Sequence, residues 1–251
     1  MSSQGVCPVT MLRDTGQVGS LLNRIANDIY SLEDTASLAG MRIDLRTTIV
    51  RLRDGSLWVH SPTRLRKGVS EQVNALGPVR YLVAASNGHN RWLCDWQEAY
   101  PGATVYVARG IPKKLPALKK YRLLEEDANP PWAADLAQAF MGVAFFGEFA
   151  FLHHASRSLI VTDFIQNHSG EPQRGFGAVI SKCMFEPMGF KGVCVPPPLK
   201  TRFVVKNPAA LRRFVDEIMS WNVERLVVAH GPIIEEDPKG TLAALTQQLA
   251  L

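Results

Sequence analysis

Four apolar runs in this 251-residue chain end in side chains that can ligate a metal or move a proton. Residues 57–60 (LWVH) end at His60. Residues 81–85 (YLVAA) lead into Ser86, Asn87, Gly88, His89, Asn90, Arg91 and Trp92. Residues 159–162 (LIVT) are followed by Asp163, and residues 226–229 (LVVA) by His230 and Gly231. Sites in layered α/β folds gather at strand ends, so these positions come first. Imidazole nitrogen and carboxylate oxygen are ligands for Zn²⁺ and Fe²⁺, and imidazole also serves as a general acid or base. A satisfied core histidine is the plain alternative at each position, and it weighs at least as heavily at His60.

The remaining histidines carry less. Strand alternation sends neighbours His153 and His154 to opposite faces, so at most one of them can enter a site. His168 sits in a polar loop (QNHSG) and is expected in solvent. The sequence has no G-x-S-x-G, no P-loop and no G-x-G-x-x-G, which removes the nucleophile-elbow and common nucleotide-binding chemistries.

The elements that must position these residues can be read in outline. Residues 47–52 (TTIVRL), the Asp54-Gly55 turn and residues 57–60 form a hairpin signal. A short helix is expected over 71–76 and a helix over 90–100, with Trp92, Trp96 and Ala99 on one stripe. Residues 81–85 and 103–108 read as strands, and 148–153 with 159–162 as a second hairpin. Pro208 opens a helix to Trp221 whose apolar spacing is Leu211, Phe214, Val215 and Ile218. A strand over 226–229 and a helix over 239–249 close the chain. Residues 111–131 read as loop with short helical pieces. Residues 170–198, rich in glycine, proline and apolar side chains, read as a long irregular segment, either a lid over a pocket or a loop packed on the core. Strand hairpins mixed with βα units suggest one α/β domain over 1–251, with about 1–20 as a weakly ordered arm.

Composition excludes whole classes. A hydrophobic content of 46% and a charged content of 20% are those of a globular chain, not of a disordered or fibrous one. The net charge of +5 is modest, and basic residues are interleaved with acidic ones over much of the sequence. A nucleic-acid partner is therefore not expected. Cys7, Cys94, Cys183 and Cys194 form no C-x-x-C and read as reduced thiols. No apolar stretch reaches the ~18 residues of a membrane span, and the N-terminus has no secretory pattern. The expectation is a cytoplasmic protein with a small-molecule ligand and no membrane partner.

The segments RLRDGSLWVHSP, SRSLIVTDF and VVAHG, in this order, resemble the metallo-β-lactamase fold superfamily over about residues 25–250. The resemblance implies an αββα sandwich, two mixed sheets flanked by helices. In that family one strand ends at an Asp, the next leads into H-x-H-x-D-H, a third ends at a metal-bridging Asp and a late strand ends at His. This chain resembles a branch in which the H-x-H-x-D-H motif is degenerate. Set on residues 87–92, the frame keeps only His89. Asn87 stands at the first ligand, Arg91 at the carboxylate and Trp92 at the last His. His60 takes the place of the early Asp. Asp163 and His230 fit the late Asp and the final His, and Glu148 lies near the place of a further His, where it could supply an oxygen.

These departures have physical consequences. A guanidinium does not ligate, and beside a cation it costs about 4 kcal/mol at ~4 Å and an effective dielectric of ~20. A two-zinc centre is therefore not expected. The resemblance leaves a single Zn or Fe ion on His89, Asp163 and His230, with no organic cofactor. Three functions follow as expectations. One is a metal-dependent hydrolase of an ester, lactone, amide or phosphoester, with His60 or Asp163 assisting proton transfer. The second is a non-catalytic relative that binds an anionic ligand or partner, with Arg91 as its charged fork. The third is an iron-dependent oxidoreductase.

Overall fold

The computed structural model describes residues 12–14, 22–38, 40–143, 147–203 and 205–251. In chain order the strands are β1 (Leu12–Asp14), β2 (Leu22–Ala26), β3 (Ile29–Leu38), β4 (Met41–Arg51), β5 (Leu57–His60), β6 (Val79–Ala84), β7 (Thr104–Val107), β8 (Tyr121–Leu123), β9 (Leu136–Phe140), β10 (Phe149–His153), β11 (Ser158–Val161), β12 (Gln166–Asn167), β13 (Val193–Cys194) and β14 (Arg225–Val228). The helices are α1 (Val69–Leu76), α2 (Leu93–Ala99), α3 (Ile111–Lys114), α4 (Gly175–Ile180), α5 (Pro208–Ser220) and α6 (Pro238–Thr246). Of the expected N-terminal arm, only β1 falls within the described residues, and it pairs with β3.

Two mixed sheets face each other. The larger runs β1-β3-β4-β5-β6-β7-β8, with β2 also on β3; the smaller runs β14-β11-β10-β9. Both sheets combine hairpins with parallel pairs: β5, β6, β7 and β8 in the first, β11 and β14 in the second. Alternation along each strand sorts the side chains into three apolar layers. Trp58, Tyr81, Val83 and Tyr106 meet Phe149, Phe151, Ile160 and Val227 between the sheets. Leu57, Val59, Leu82 and Val105 face outward onto Val69 and Val73 of α1, Leu93 and Trp96 of α2, and Ile111 of α3. Leu152, Leu159, Leu226 and Val228 face the other way, onto Leu211, Phe214 and Ile218 of α5 and Leu242 and Leu245 of α6. This is the expected αββα sandwich. Each fully buried large apolar side chain contributes roughly 1.5–3 kcal/mol relative to exposure.

Most of the predicted elements are present. The D-G hairpin joins β4 to β5 with Thr48 opposite His60, and β10 and β11 form the second hairpin. The helix expected over 90–100 starts only at Leu93, because residues 86–90 form a tight loop in which the His89 amide donates to the Ser86 carbonyl. Residues 111–131 contain strand β8 as well as the expected helical pieces. Residues 170–198 are less irregular than expected: α4 continues into a single π-helical turn, Ser181–Phe185.

Candidate metal centre

Parallel strands align their C-terminal ends, and the candidate residues collect at that edge of both sheets. Val161 of β11 pairs with Val228 of β14, and Asp163 and His230 each lie two residues further on. His89 comes from the loop after β6. The sheets are joined here by the Phe149 amide, which donates to the Ala85 carbonyl at 2.9 Å.

Three side chains converge. His89 Nε2 and His230 Nε2 are 3.0 Å apart. Asp163 Oδ1 lies 3.3 Å from the first and 3.4 Å from the second. One ligand atom from each residue lies within 4.8 Å of the others, a group that could hold a metal ion. Four-coordinate Zn²⁺ with bonds of ~2.0–2.1 Å would separate its ligand atoms by roughly 3.4 Å, so the spacing suits a tetrahedral ion.

The surroundings orient each group. His230 Nδ1 lies 2.8 Å from the Asp44 carbonyl. A carbonyl only accepts, so Nδ1 carries a proton and Nε2 is the nitrogen turned toward Asp163. His89 Nδ1 lies 2.7 Å from Ser61 Oγ. Ser61 has a left-handed backbone (φ 56°) at the end of β5, a strained conformation that aims its hydroxyl at the ring. The Ser86 hydroxyl donates to Asp163 Oδ2 at 2.5 Å, leaving Oδ1 for the imidazoles. Lone pairs on both Nε2 atoms and Oδ1 would repel one another; a proton or a cation among them removes that conflict. Burial works to raise the Asp163 pKa, but the charge and hydrogen bonding of His89 and His230 outweigh it and hold the carboxyl well below the usual range.

Two glycines make room. A Cβ at Gly88 would stand 2.7 Å from Asp163 Oδ2. At Gly231, with φ +83°, it would stand 1.7 Å from the Asn167 carbonyl oxygen, so the Gly after the late His is a packing requirement. Arg46, buried on β4, grips the same corner. Its guanidinium donates to the Val228 carbonyl and, at 2.9 Å, to the Gly231 carbonyl, and pairs with Glu33 at 2.8 Å.

The other candidates separate from this group. Glu148 is fully buried, but it accepts from the backbone amides of Thr162 and Asp163 at 2.8 and 3.0 Å. It fixes the chain that carries Asp163 and is not among the converging atoms. Burial and the Asp163 charge push its pKa up. His60 stacks on Trp58 at 5.2 Å and meets Phe151 edge-on between the sheets. Burial, then the His89 charge, push its pKa down to about 3. His153 is buried against Ser156 Oγ at 2.8 Å, His154 is exposed, and His168 is exposed at the cavity rim. The Asn87 side chain is wedged against Gly110 and Gly147, where a Cβ on either would lie 2.3 or 2.7 Å from it. The Arg91 guanidinium lies 5.1 Å from the Trp92 ring centroid, with Arg64 at 5.7 Å.

A cavity of about 830 Å³ opens over the three converging atoms. Its walls come from Leu38 of β3, residues 41–45 of β4, residues 88–92 and parts of 166–192, so the segment read as lid or loop forms a wall of the pocket. Arg91, Lys182 and Lys191 bring positive charge to it, and Met41, Trp92 and Phe185 apolar surface.

The model of the family described as Domain of unknown function (DUF4336) matches residues 26–176, more than half of the chain. The chain belongs to the DUF4336 family. That match carries His60, His89 and Asp163 but stops before His230. No curated protein matches the sequence. Among solved structures, the chain is similar to the metal-soaked Flv1 flavodiiron core from Synechocystis sp. PCC6803, with TM-score 0.66 and 9% identity over 92% of this chain and 61% of that one. It is similar to the flavodiiron protein from Giardia intestinalis, with TM-score 0.62 and 12% identity over 92% and 60%. It is also similar to a metallo-β-lactamase from Pontibacter korlensis, with TM-score 0.60 and 12% identity over 91% and 99%. This DUF4336 chain thus has the metallo-β-lactamase fold, and it spans about three fifths of the flavodiiron chains it matches.

Sequence reasoning named all three converging residues and missed their supports. Ser61 and Ser86 were legible only as neighbours of named residues. Arg46 carried no signal, because its partners are backbone carbonyls 182 and 185 residues away.

Proposed function

We propose that this DUF4336 chain is a mononuclear metal-dependent hydrolase of a small anionic ester, lactone, amide or phosphoester. One observation carries the reading: two imidazole Nε2 atoms and one carboxylate Oδ1 converge at the floor of an 830 Å³ cavity. His89, Asp163 and His230 would hold the ion. Bound there, a divalent ion supplies Lewis acidity and water acidified toward pKa ~7. The protein's own groups do the rest. Ser61 and the Asp44 carbonyl fix the two rings, Ser86 fixes the carboxylate, and Arg91 with Lys182 and Lys191 would bind the substrate's negative charge. Cys183 and Cys194 are free thiols, which suits the reducing, cytoplasmic setting proposed for it. Among the described residues no helix is long and apolar enough to cross a membrane.

A second reading has its own observation. Arg91 stands in the cavity wall at the place of the family's motif carboxylate, which suits a non-catalytic relative that holds an anion. Elemental analysis of untagged, chelator-free protein beside His230→Ala separates the two. Near-stoichiometric zinc that is lost in the variant supports the hydrolase. Iron in its place moves the reaction to redox chemistry, the third reading. No metal in either folded protein overturns both metalloenzyme readings and leaves the anion-binding role.

A further inference from the structure

Positive charge is not spread evenly over this chain. Residues 174–206 hold six Lys and Arg and one acidic residue; removing them from totals of 28 and 23 leaves 22 of each. The whole net charge of +5 therefore resides in this one segment. Arg174, Lys182, Lys191, Arg202 and Lys206 are all exposed. Among the described residues none of the five enters an ion pair, whereas ten arginines elsewhere do.

The same segment turns its apolar side chains to solvent. Phe176 on α4 is 71% exposed, and Val179, one turn along, is more than half exposed. The π-helical turn runs on directly from α4 and adds Met184, followed by Met188, both also more than half exposed. Phe203 is 90% exposed, on the turn after the 3-10 helix Pro197–Lys200. Pro197 Cγ and Lys200 Nζ lie 3.6 and 4.0 Å from the Cβ position at Gly189, which brings that helix beside the end of the π-helical stretch. Of the seven large hydrophobic side chains exposed in the described structure, five belong to this segment. Such a concentration marks a binding face, where scattered single residues would not.

We propose that residues 174–206 form a peripheral docking face for an anionic phospholipid surface. The charge complementarity is direct: unpaired Lys and Arg lie beside Phe, Val and Met that can enter the headgroup–acyl boundary. A nucleic acid would use the charge but not the exposed aliphatic side chains. The lack of an apolar stretch of ~18 residues, which led to the expectation of no membrane partner, does not bear on surface attachment. Lys182 and Lys191 also line the cavity, but Arg174, Phe176, Met188 and Arg202 do not, so variants at these four positions test this inference apart from the metal reading.

Co-sedimentation of the full chain with vesicles tests it. Vesicles of phosphatidylcholine and phosphatidylglycerol in equal parts are compared with phosphatidylcholine alone, at low and at high salt. The expected result is binding to the anionic vesicles only, released as salt shortens the screening length toward ~3 Å at 1 M. Phe176→Ser with Met188→Ser, and separately Arg174→Glu with Arg202→Glu, should each lower partitioning by roughly tenfold or more. All four positions are exposed, and circular dichroism checks the fold of both variants. No binding to anionic vesicles overturns the proposal, as does binding that neither variant weakens. A dimer abolished by Phe176→Ser with Met188→Ser, or tighter binding to RNA than to vesicles, assigns the face to another occupant and overturns it as well.

Discussion

His60 ends β5 after Leu57, Trp58 and Val59; His230 lies beyond β14, after Val227, Val228 and Ala229. The two surroundings differ in every respect that matters to chemistry. His60 shares parity with Trp58, so alternation turns both into the layer between the sheets. Its Nε2 is buried with no hydrogen-bond partner, and the ring is held neutral. His230 has left its strand, so its direction is set by Arg46, by the Asp44 carbonyl and by Gly231. One nitrogen is satisfied by backbone, and the other faces a carboxylate and a second imidazole. A histidine becomes a candidate ligand when its far nitrogen is fixed and its near nitrogen is left to a cavity. Ending an apolar run does not suffice.

The largest test of this contrast is Arg46→Met. The variant removes the grip on the carbonyls of Val228 and Gly231, which flank His230 in the chain, and leaves Glu33 with only the Ser31 hydroxyl. Glu33 is more than a third exposed, so the cost falls on the two buried carbonyls that lose this donor, about 1–3 kcal/mol each, and the His230 corner should loosen with it. Urea unfolding should show that loss, and metal retention should fall even at temperatures where the variant remains folded. A variant with unchanged metal retention would show that His230 needs no such clamp.

The next effect is on the core histidine. The unfolded chain takes up a proton on His60 near pH 6.5, whereas the folded chain resists until about pH 3. Below 6.5 the unfolded state therefore binds a proton that the native state does not, and stability falls until pH reaches about 3. The slope is about 1.4 kcal/mol per pH unit. His60→Phe keeps the stack on Trp58 and removes this penalty. At pH 5 it should recover roughly 2 kcal/mol relative to the parent's own acid loss, with metal content unchanged. Parallel acid profiles for parent and variant would place His60 outside the buried layer.

This difference between the two histidines was partly legible. The parity of LWVH pairs His60 with Trp58, and the alternation that makes the strand also decides the direction of its last side chain. The αββα layers were legible for the same reason: LWVH, YLVAA, LIVT and LVVA are apolar enough to be buried on both faces. Strand β3 escaped because its buried positions include Ser31, Asp34 and Thr35. Asp34 pairs with Arg66, so an ionic contact interrupts the apolar period. Strand β9 (LAQAF) is too short and mixed to stand out. The triad His89, Asp163 and His230 was reached through family resemblance, since residues 74 and 67 apart give no local sign of meeting. Glu148 shows the limit of that route. Its place near a family ligand suggested an oxygen donor, but its carboxylate is taken up by two backbone amides.

The smallest expected effect is the most selective. Ser61 touches His89 through Nδ1, the nitrogen outside the converging group, as the Asp44 carbonyl touches His230. Ser61→Ala removes one hydroxyl and no apolar packing. Such outer partners of a ligand imidazole typically account for 10–100-fold in metal affinity. Here about tenfold, or ~1.4 kcal/mol, is expected, because the tight loop of residues 86–90 also holds the His89 backbone. Thermal stability of the metal-free protein should barely change, since a partly buried hydrogen bond contributes only about 1 kcal/mol. Competition with a chromogenic chelator reads the affinity, and calorimetry of the apo protein reads the stability. An affinity loss without a stability loss would mark Ser61 as an orienting group. Equal losses in both would make it structural, and His89 would then owe its direction to the backbone alone.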